Sequence, residues 1–263
     1  MDLTYEEQTH IFQEKVKCPT VRPFNLQLTK DRGRGLIASR NIHQGEHLMH
    51  EEPAILAPKI EQNCGNCLNC GSLLERLREV VFCPTCSLPF CSASCHRSDY
   101  HSRECENMQL LQIKIDTMEK MSQIGLLAGV LRCCLLQETD VTSWRKVNLL
   151  EDHLDDRRGT DIDAYNKIFL MKATRDLGIP DSIVDAEKIQ RMSGILDSNA
   201  FEIKTVKGGR MRGLYPFSAM ANSSCVPNLT TIVTRAGGLQ LVASRDIRFD
   251  DHTYLELEKW EKF

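Results

Sequence analysis

A chain of 263 residues can bury one sizeable core and a small satellite module, and its formal net charge of −3 comes from acidic and basic residues mixed along its length. No long basic block is present, so there is no strong nucleic-acid signal. No apolar run approaches a membrane span, and the opening MDLTYEEQTHIFQEKVKCPT lacks the apolar stretch and cleavage site of a signal peptide. The expectation is an intracellular chain, in nucleus or cytoplasm, with no membrane partner.

Residues 21 to 60 read as short strands. In GRGLIASRNIHQGEHLMHEEPAIL, apolar pairs are separated by Gly-rich and Asn-rich turns. A cysteine-rich module follows over residues 64 to 105. From Asn107 to about Thr139 the pattern turns helical, with Leu110, Ile113, Met118, Met121, Ile124, Leu127 and Leu131 recurring at helical steps. The polar segment EDHLDDRRGTD reads as a loop. IDAYNKIFLMKATRDLG, and then a helix start at Pro180, extend the helical region to about Leu196. Strand patterns return after Ser198 in FEI, GLYP, NLTTIVT and LQLVASRDI. No internal repeat or low-complexity segment interrupts this order.

Of the 12 cysteines, eight fall between Cys64 and Cys105, the others being Cys18, Cys133, Cys134 and Cys225. Such density in one stretch of a reduced intracellular chain points to metal rather than disulfides. Four ligand pairs can be read in order: Cys67-x2-Cys70, Cys83-x2-Cys86, Cys91-x3-Cys95 and His101-x3-Cys105. A two-residue gap suits a tight knuckle that turns both thiolates to one metal. A three-residue gap puts two ligands on one face of a helical turn. Four pairs suffice for two tetrahedral zinc sites, each closed by four protein ligands and therefore structural. Cys64 also forms a C-x2-C with Cys67, so the first pair has an alternative register. His96 is an alternative to His101.

The series resembles the MYND finger, C-x2-C…C-x2-C-x4-C-x3-C…H-x3-C, with Phe90 at its aromatic position. The resemblance implies interleaved pairs: Cys67, Cys70, Cys91 and Cys95 on one zinc, and Cys83, Cys86, His101 and Cys105 on the other. It further implies a surface presented to protein or peptide ligands. On either side, the chain resembles the two halves of a SET domain. GRGLIASRNIHQGEHLMHEEP is similar to the first SET block. SNAFEI, GLYPFSAMANSSCVPN and LQLVASRDIRFDDHTYLEL are similar, in order, to the later ones. The chain thus resembles the SET–MYND family, its arthropod-type members in particular. The implied fold is α+β: a SET-type β fold with an inserted two-zinc MYND finger and an inserted helical region. The implied segments are a first SET half over 22–60, the finger over 64–105, a helical insert over 106–197 and a second SET half over 198–260.

The family resemblance implies S-adenosylmethionine-dependent methylation of protein lysines, histones among them. Carried over residue by residue, the cofactor positions are Arg32, Arg34, Gly35, Asn199, Asn222 and Ser223. Three departures stand against activity. The family's N-H-S-C reads Asn222-Ser223-Ser224-Cys225, so a His is replaced by Ser223. The catalytic Tyr position falls on Leu257, and Tyr254, three residues earlier, turns to the other face of a strand, so it is a catalytic candidate only where a local loop deletion restores the register. The family's later C-x-C-x2-C cysteines do not occur before Phe263. The expectation is a chain with two structural zinc ions, eroded catalytic motifs and a finger for protein interaction. The alternative is an active lysine methyltransferase using S-adenosylmethionine, or a shortened form of one. Cys133, Cys134 and Cys225 are expected in the core, His153 as a solvated or capping residue, and His43, His47 and His50 as non-ligands.

Overall fold

The computed structural model describes residues 4–14, 16–18, 21–30, 32–59, 65–74, 79–205, 207–234, 237–249 and 253–258, apart from the side chains of Asn107 and Leu110. The chain runs α1 (Tyr5–Gln13), β1 (Phe24–Thr29), β2 (Gly33–Ala38), β3 (His47–Glu51), β4 (Ile55–Pro58), β5 (Val81–Phe82) and β6 (Pro89–Phe90). The helices α2 (Ala93–His96), α3 (Asp99–Leu110), α4 (Met118–Thr139), α5 (Val141–Val147), α6 (Leu154–Arg157) and α7 (Asp161–Tyr165) follow. A π-helical turn (Asn166–Leu170) leads into α8 (Met171–Leu177) and α9 (Ala186–Asn199). The last strands are β7 (Ala200–Lys204), β8 (Arg210–Leu214), β9 (Asn222–Ser224), β10 (Leu229–Val233), β11 (Leu239–Ala243) and β12 (Glu256–Glu258), with a 3-10 turn at Ser218–Met220. Helix and strand are mixed, as the sequence leads one to expect of an α+β chain.

Two units form. The first takes Met1–Ala54 and Tyr215–Phe263. In it β1 and β2 pair antiparallel from Phe24↔Ala38 to Thr29↔Gly33, and β3, β11 and β10 form an antiparallel sheet. Phe24 and Leu26 point inward while Asn25 and Gln27 face out, the period of two that a half-buried strand requires. Phe24, Leu36, Leu48, Phe217, Leu241 and Leu255 fill the core. Helix α1, which the hydrophobic pattern does not announce, starts at a reciprocal cap in which Thr4 and Glu7 each satisfy the other's backbone N–H.

Glu51, at the end of β3, is buried and accepts from the backbone N–H of Phe217 (2.9 Å), the N–H of Ser218 (2.7 Å) and the Ser218 hydroxyl (2.7 Å). The 3-10 turn is built on this carboxylate. Replacing Glu51 by Ala would orphan those donors and should cost about 3 kcal/mol. Glu51→Gln, which keeps an acceptor, should cost less. Denaturant unfolding of the two variants checks the order.

The second unit is Ile55–Leu214. Its sheet has the order β4-β8-β7, all antiparallel, and α4 lies on it with α8 and α9 alongside. Helix α4 starts at Thr117, whose hydroxyl accepts from the N–H of Lys120 at 3.2 Å. Met121, Ile124, Leu127, Val130, Leu131 and Cys133 are all buried, so α4 is covered on most of its circumference. A continuous helix from Asn107 is not what forms: α3 ends at Leu110, and the chain turns through Gln112 (φ 49°) before α4 begins. Ile113 is buried without being helical, which is why its spacing mimics a helix. Pro180 does not start a helix either. Gly178 closes α8 in the left-handed conformation, and α9 starts at Asp185, whose carboxylate accepts from the N–H of Lys188 at 2.8 Å. Within the polar loop, His153 precedes the four-residue α6 with φ 50° and faces Asp156 at 3.5 Å.

Candidate functional site

The first knuckle is closed by backbone bonds. The Cys67 N–H donates to Ser72 O at 2.9 Å, and the Gly71 N–H donates to Cys67 O at 2.8 Å. Gly71 sits at φ 71°, and a Cβ there would collide with the Arg210 carbonyl, so only glycine fits both demands. The second knuckle repeats the design, with the Cys83 N–H on Leu88 O at 3.0 Å and the Ser87 N–H on Cys83 O at 2.9 Å. Cys91 follows directly on β6, and the other three donors come from helices. Ser92 caps α2, which carries Cys95. Ser98 caps α3, which carries His101 and Cys105.

These elements bring Cys67, Cys70, Cys91 and Cys95 together in one cluster, and Cys83, Cys86, His101 and Cys105 in another. Within each, the candidate ligand atoms all lie within 4.8 Å of one another. Cys70 Sγ is 3.5 Å from Cys91 Sγ, Cys83 Sγ is 3.6 Å from Cys105 Sγ, and Cys86 Sγ is 3.4 Å from His101 Nε2. The His101 Nδ1–H donates to the His96 carbonyl at 2.5 Å, which turns Nε2 toward the thiols. His96 stands outside the four-ligand group: its carbonyl accepts from His101, and its ring hydrogen-bonds the Cys83 thiol. Cys64 lies outside the described residues.

The donor sets fit zinc. Thiols this close cannot all ionise without a compensating cation. The Cys67 thiol donates to Cys70, which lowers Cys70 while Cys67 is pushed up. A dication that takes four thiolates, or three and an imidazole, resolves that conflict. It would supply a structural crosslink, since four protein ligands leave no open position.

The carried-over cofactor positions are placed as follows. Arg32, Arg34, Gly35, Asn222 and Ser223 lie in the first unit; Asn199 belongs to the second. Asn199 is the last residue of α9, and its Nδ2 donates to the Glu151 and Ile195 carbonyls at 2.9 and 2.8 Å. Arg34 donates to Gln8 Oε1 at 3.3 Å and lies 5.4 Å over the Phe12 ring. Parallel pairing of β9 with β12 sets Asn222 beside Glu256 and Ser223 beside Leu257. Ser223 is exposed and Leu257 is buried. The Arg32 guanidinium donates to Glu256 Oε1 at 2.7 Å and stacks 4.6 Å over the Tyr254 ring. The Tyr254 ring also closes on Gly35, where an added Cβ would sit 3.4 Å from Tyr254 Cδ1 and overlap Asn222 Oδ1. Asp250, Asp251 and His252 lie outside the described residues.

This arrangement disfavours an S-adenosylmethionine carboxylate at Arg32, whose side chain is 45% exposed. The guanidinium already has a carboxylate partner, and Glu256 would repel a second one. One feature points the other way: Asn222 Oδ1 is buried and has no hydrogen-bond partner among the described residues.

The SET domain profile matches residues 33–252. The chain belongs to the SET domain family. With the two Cys/His clusters between its SET blocks, it has the SET–MYND organisation. The Drosophila melanogaster SET domain-containing protein SmydA-8, isoform A, is 29% identical over 224 residues, covering 82% of this chain and 46% of the fly protein. The Yarrowia lipolytica histone-lysine N-methyltransferase SET5 is 22% identical over 251 residues, covering 87% of this chain and 56% of the yeast protein. This SET chain thus spans about half the length of the curated relatives it matches. Among solved structures, the SET domain of LSMT bound to lysine and AdoHcy superimposes with a TM-score of 0.51 at 11% identity, over 97% of this chain and 54% of that one. That likeness shows the SET methyltransferase fold. No helix among the described residues is long and apolar enough to cross a membrane.

Sequence reasoning missed Glu256, the acidic partner of Arg32 from 224 residues away. It also missed Asn228, which is buried and staples the last SET segment. Asn228 Nδ2 donates to Tyr254 O and Oδ1 accepts from the Glu256 N–H, both at 2.8 Å. Cys225 is exposed rather than in the core: β9 ends at Ser224, and the chain turns outward after it.

Proposed function

We propose that this SET–MYND chain works as a protein-interaction scaffold that displays a two-zinc finger, and that its SET cleft does not transfer methyl groups. One zinc is held by Cys67, Cys70, Cys91 and Cys95, and the other by Cys83, Cys86, His101 and Cys105. The finger over 64–105 meets proline-rich or other short peptides, between SET halves over 22–60 and 198–260 and beside the helical insert over 106–197. The setting is intracellular, in nucleus or cytoplasm, where cysteines stay reduced and able to bind metal.

The observation that carries the inactive cleft is the Arg32–Glu256 pair on the Tyr254 ring. Removing one transition-state group costs about two to three orders of magnitude in rate. Here Ser223 and Leu257 stand at two positions where the family resemblance puts catalytic or cofactor groups. Tyr254 is spent as a platform for Arg32. A second possibility, an active lysine methyltransferase acting on histones or other proteins, is favoured by the unpartnered Asn222 Oδ1.

Transfer of labelled methyl from S-adenosylmethionine to histones and to a mixture of lysine-rich proteins separates the two. No incorporation above the enzyme-free control is expected. Incorporation that disappears in Arg32→Ala would overturn the scaffold proposal.

A further inference from the structure

We infer that Lys207 is an outer cation of the four-cysteine zinc centre, and that through it the metal and the β7–β8 hairpin hold each other in place. The inference rests on the zinc assignment above. The Lys207 ammonium lies 3.2 Å from Cys95 Sγ and 3.7 Å from Cys91 Sγ, with Ser92 Oγ at 3.1 Å and Ser94 Oγ at 3.4 Å. It therefore touches two of the four sulfurs and both serines of the turn that presents them.

The hairpin is docked on the same knuckle by independent contacts. The Thr205 hydroxyl donates to Cys70 O at 2.9 Å, and the Ser72 hydroxyl donates to Lys207 O at 3.5 Å. A Cβ at Gly209 would overlap Cys70 O and the Gly71 backbone. The two backbones meet where no side chain fits, and Gly208 turns the chain at φ 77°. The lysine thus reaches the sulfurs from a fixed base rather than as a loose surface chain.

Charge explains why a cation belongs there. Four thiolates around a dication leave two uncompensated negative charges, whereas three thiolates and a neutral imidazole leave one. Ammonium–sulfur hydrogen bonds delocalise that excess, disfavour attack on the thiolates by protons or competing metals, and so slow release of the ion. Arg132 approaches the same knuckle by donating to Leu68 O at 3.0 Å, but it does not replace the contact on Cys91 and Cys95.

The test is zinc transfer from the full chain to a chromophoric chelator, comparing wild type, Lys207→Met and Lys207→Arg. Lys207→Met keeps the length and apolar stem but removes the charge. It should release one of two zinc equivalents about tenfold faster, the size typical of losing a group that hydrogen-bonds a metal ligand. The other equivalent should keep its wild-type rate, and Lys207→Arg should restore most of the first. A Cys95→Ser background, which keeps only the second centre, assigns the equivalents. Unchanged release in Lys207→Met would overturn the inference. So would equal acceleration of both equivalents, or the same acceleration in Lys207→Arg, since either would mark lost folding rather than lost charge. Zinc content of the wild type, measured first by mass spectrometry, is the separate check on the assignment itself. A chain purified without zinc removes both.

Discussion

Stripping zinc from the finger should unfold it locally while the β10–β11–β3 sheet keeps its protection. Among the described residues between Gly65 and Cys105 the regular structure amounts to two two-residue strands, the four-residue α2 and the first part of α3, and the buried apolar side chains are few, chiefly Leu68, Leu74, Leu88 and Phe90. So small a core cannot offset the ordering entropy of its own backbone. Structural zinc is worth about 10–16 kcal/mol in small modules, as much as the whole stability of a typical domain. Hydrogen exchange read by mass spectrometry checks the expectation. Amides of the knuckles, α2 and the start of α3 should lose protection in excess chelator, and those of β10 and β11 should not. Cys95→Ser should lower the zinc count from two to one and expose mainly the first knuckle. A finger that stays protected after metal removal would mean that packing alone holds it.

The second large effect is expected at Arg132. Its side chain is 3% exposed and its partner Glu104 10%, with Nε on Oε2 at 2.7 Å and Nη2 on Oε1 at 2.5 Å. Nη1 donates to the carbonyls of Leu56 and Leu68, which ties α4 to β4 and to the first knuckle. Tyr100 lies 4.7 Å below the guanidinium, its hydroxyl on the Leu56 backbone, and burial pushes its phenol up to about 12. Arg132→Met would leave Glu104 charged, buried and alone, along with two carbonyls short of a donor. Breaking a buried pair from one side costs about 3–5 kcal/mol. In a unit of this size that corresponds to a fall of roughly 10 °C in the thermal midpoint. Replacing both partners, Arg132→Met with Glu104→Leu, should recover part of the loss because no bare charge remains. A double variant as unstable as the single one would show that the lost carbonyl contacts dominate.

The metal clusters were legible because ligand spacing is local. Knuckles and helical turns fix where two sulfurs point, and each pair is read within a few residues. The pairing of one knuckle with another was carried by family resemblance, and the structure brings the same groups together. The ordered SET blocks were legible for a similar reason, since each is a short contiguous motif. What stayed hidden is joined across long stretches of chain: Arg32 with Glu256, Arg132 with Glu104, and Lys207 with Cys91 and Cys95. A charged residue looks solvated in sequence until the fold supplies its partner. Helix limits failed where an apolar residue in a turn kept the helical step, as at Ile113, or where proline looked like a start but Asp185 supplied the cap.

Calorimetric titration of S-adenosylmethionine into the zinc-loaded chain tests the scaffold proposal most directly. With Arg32 held by Glu256, no binding heat is expected up to millimolar cofactor, and Glu256→Gln should bring binding into the measurable range. Micromolar binding by the unaltered chain would contradict the account, returning the SET cleft to the methyltransferases.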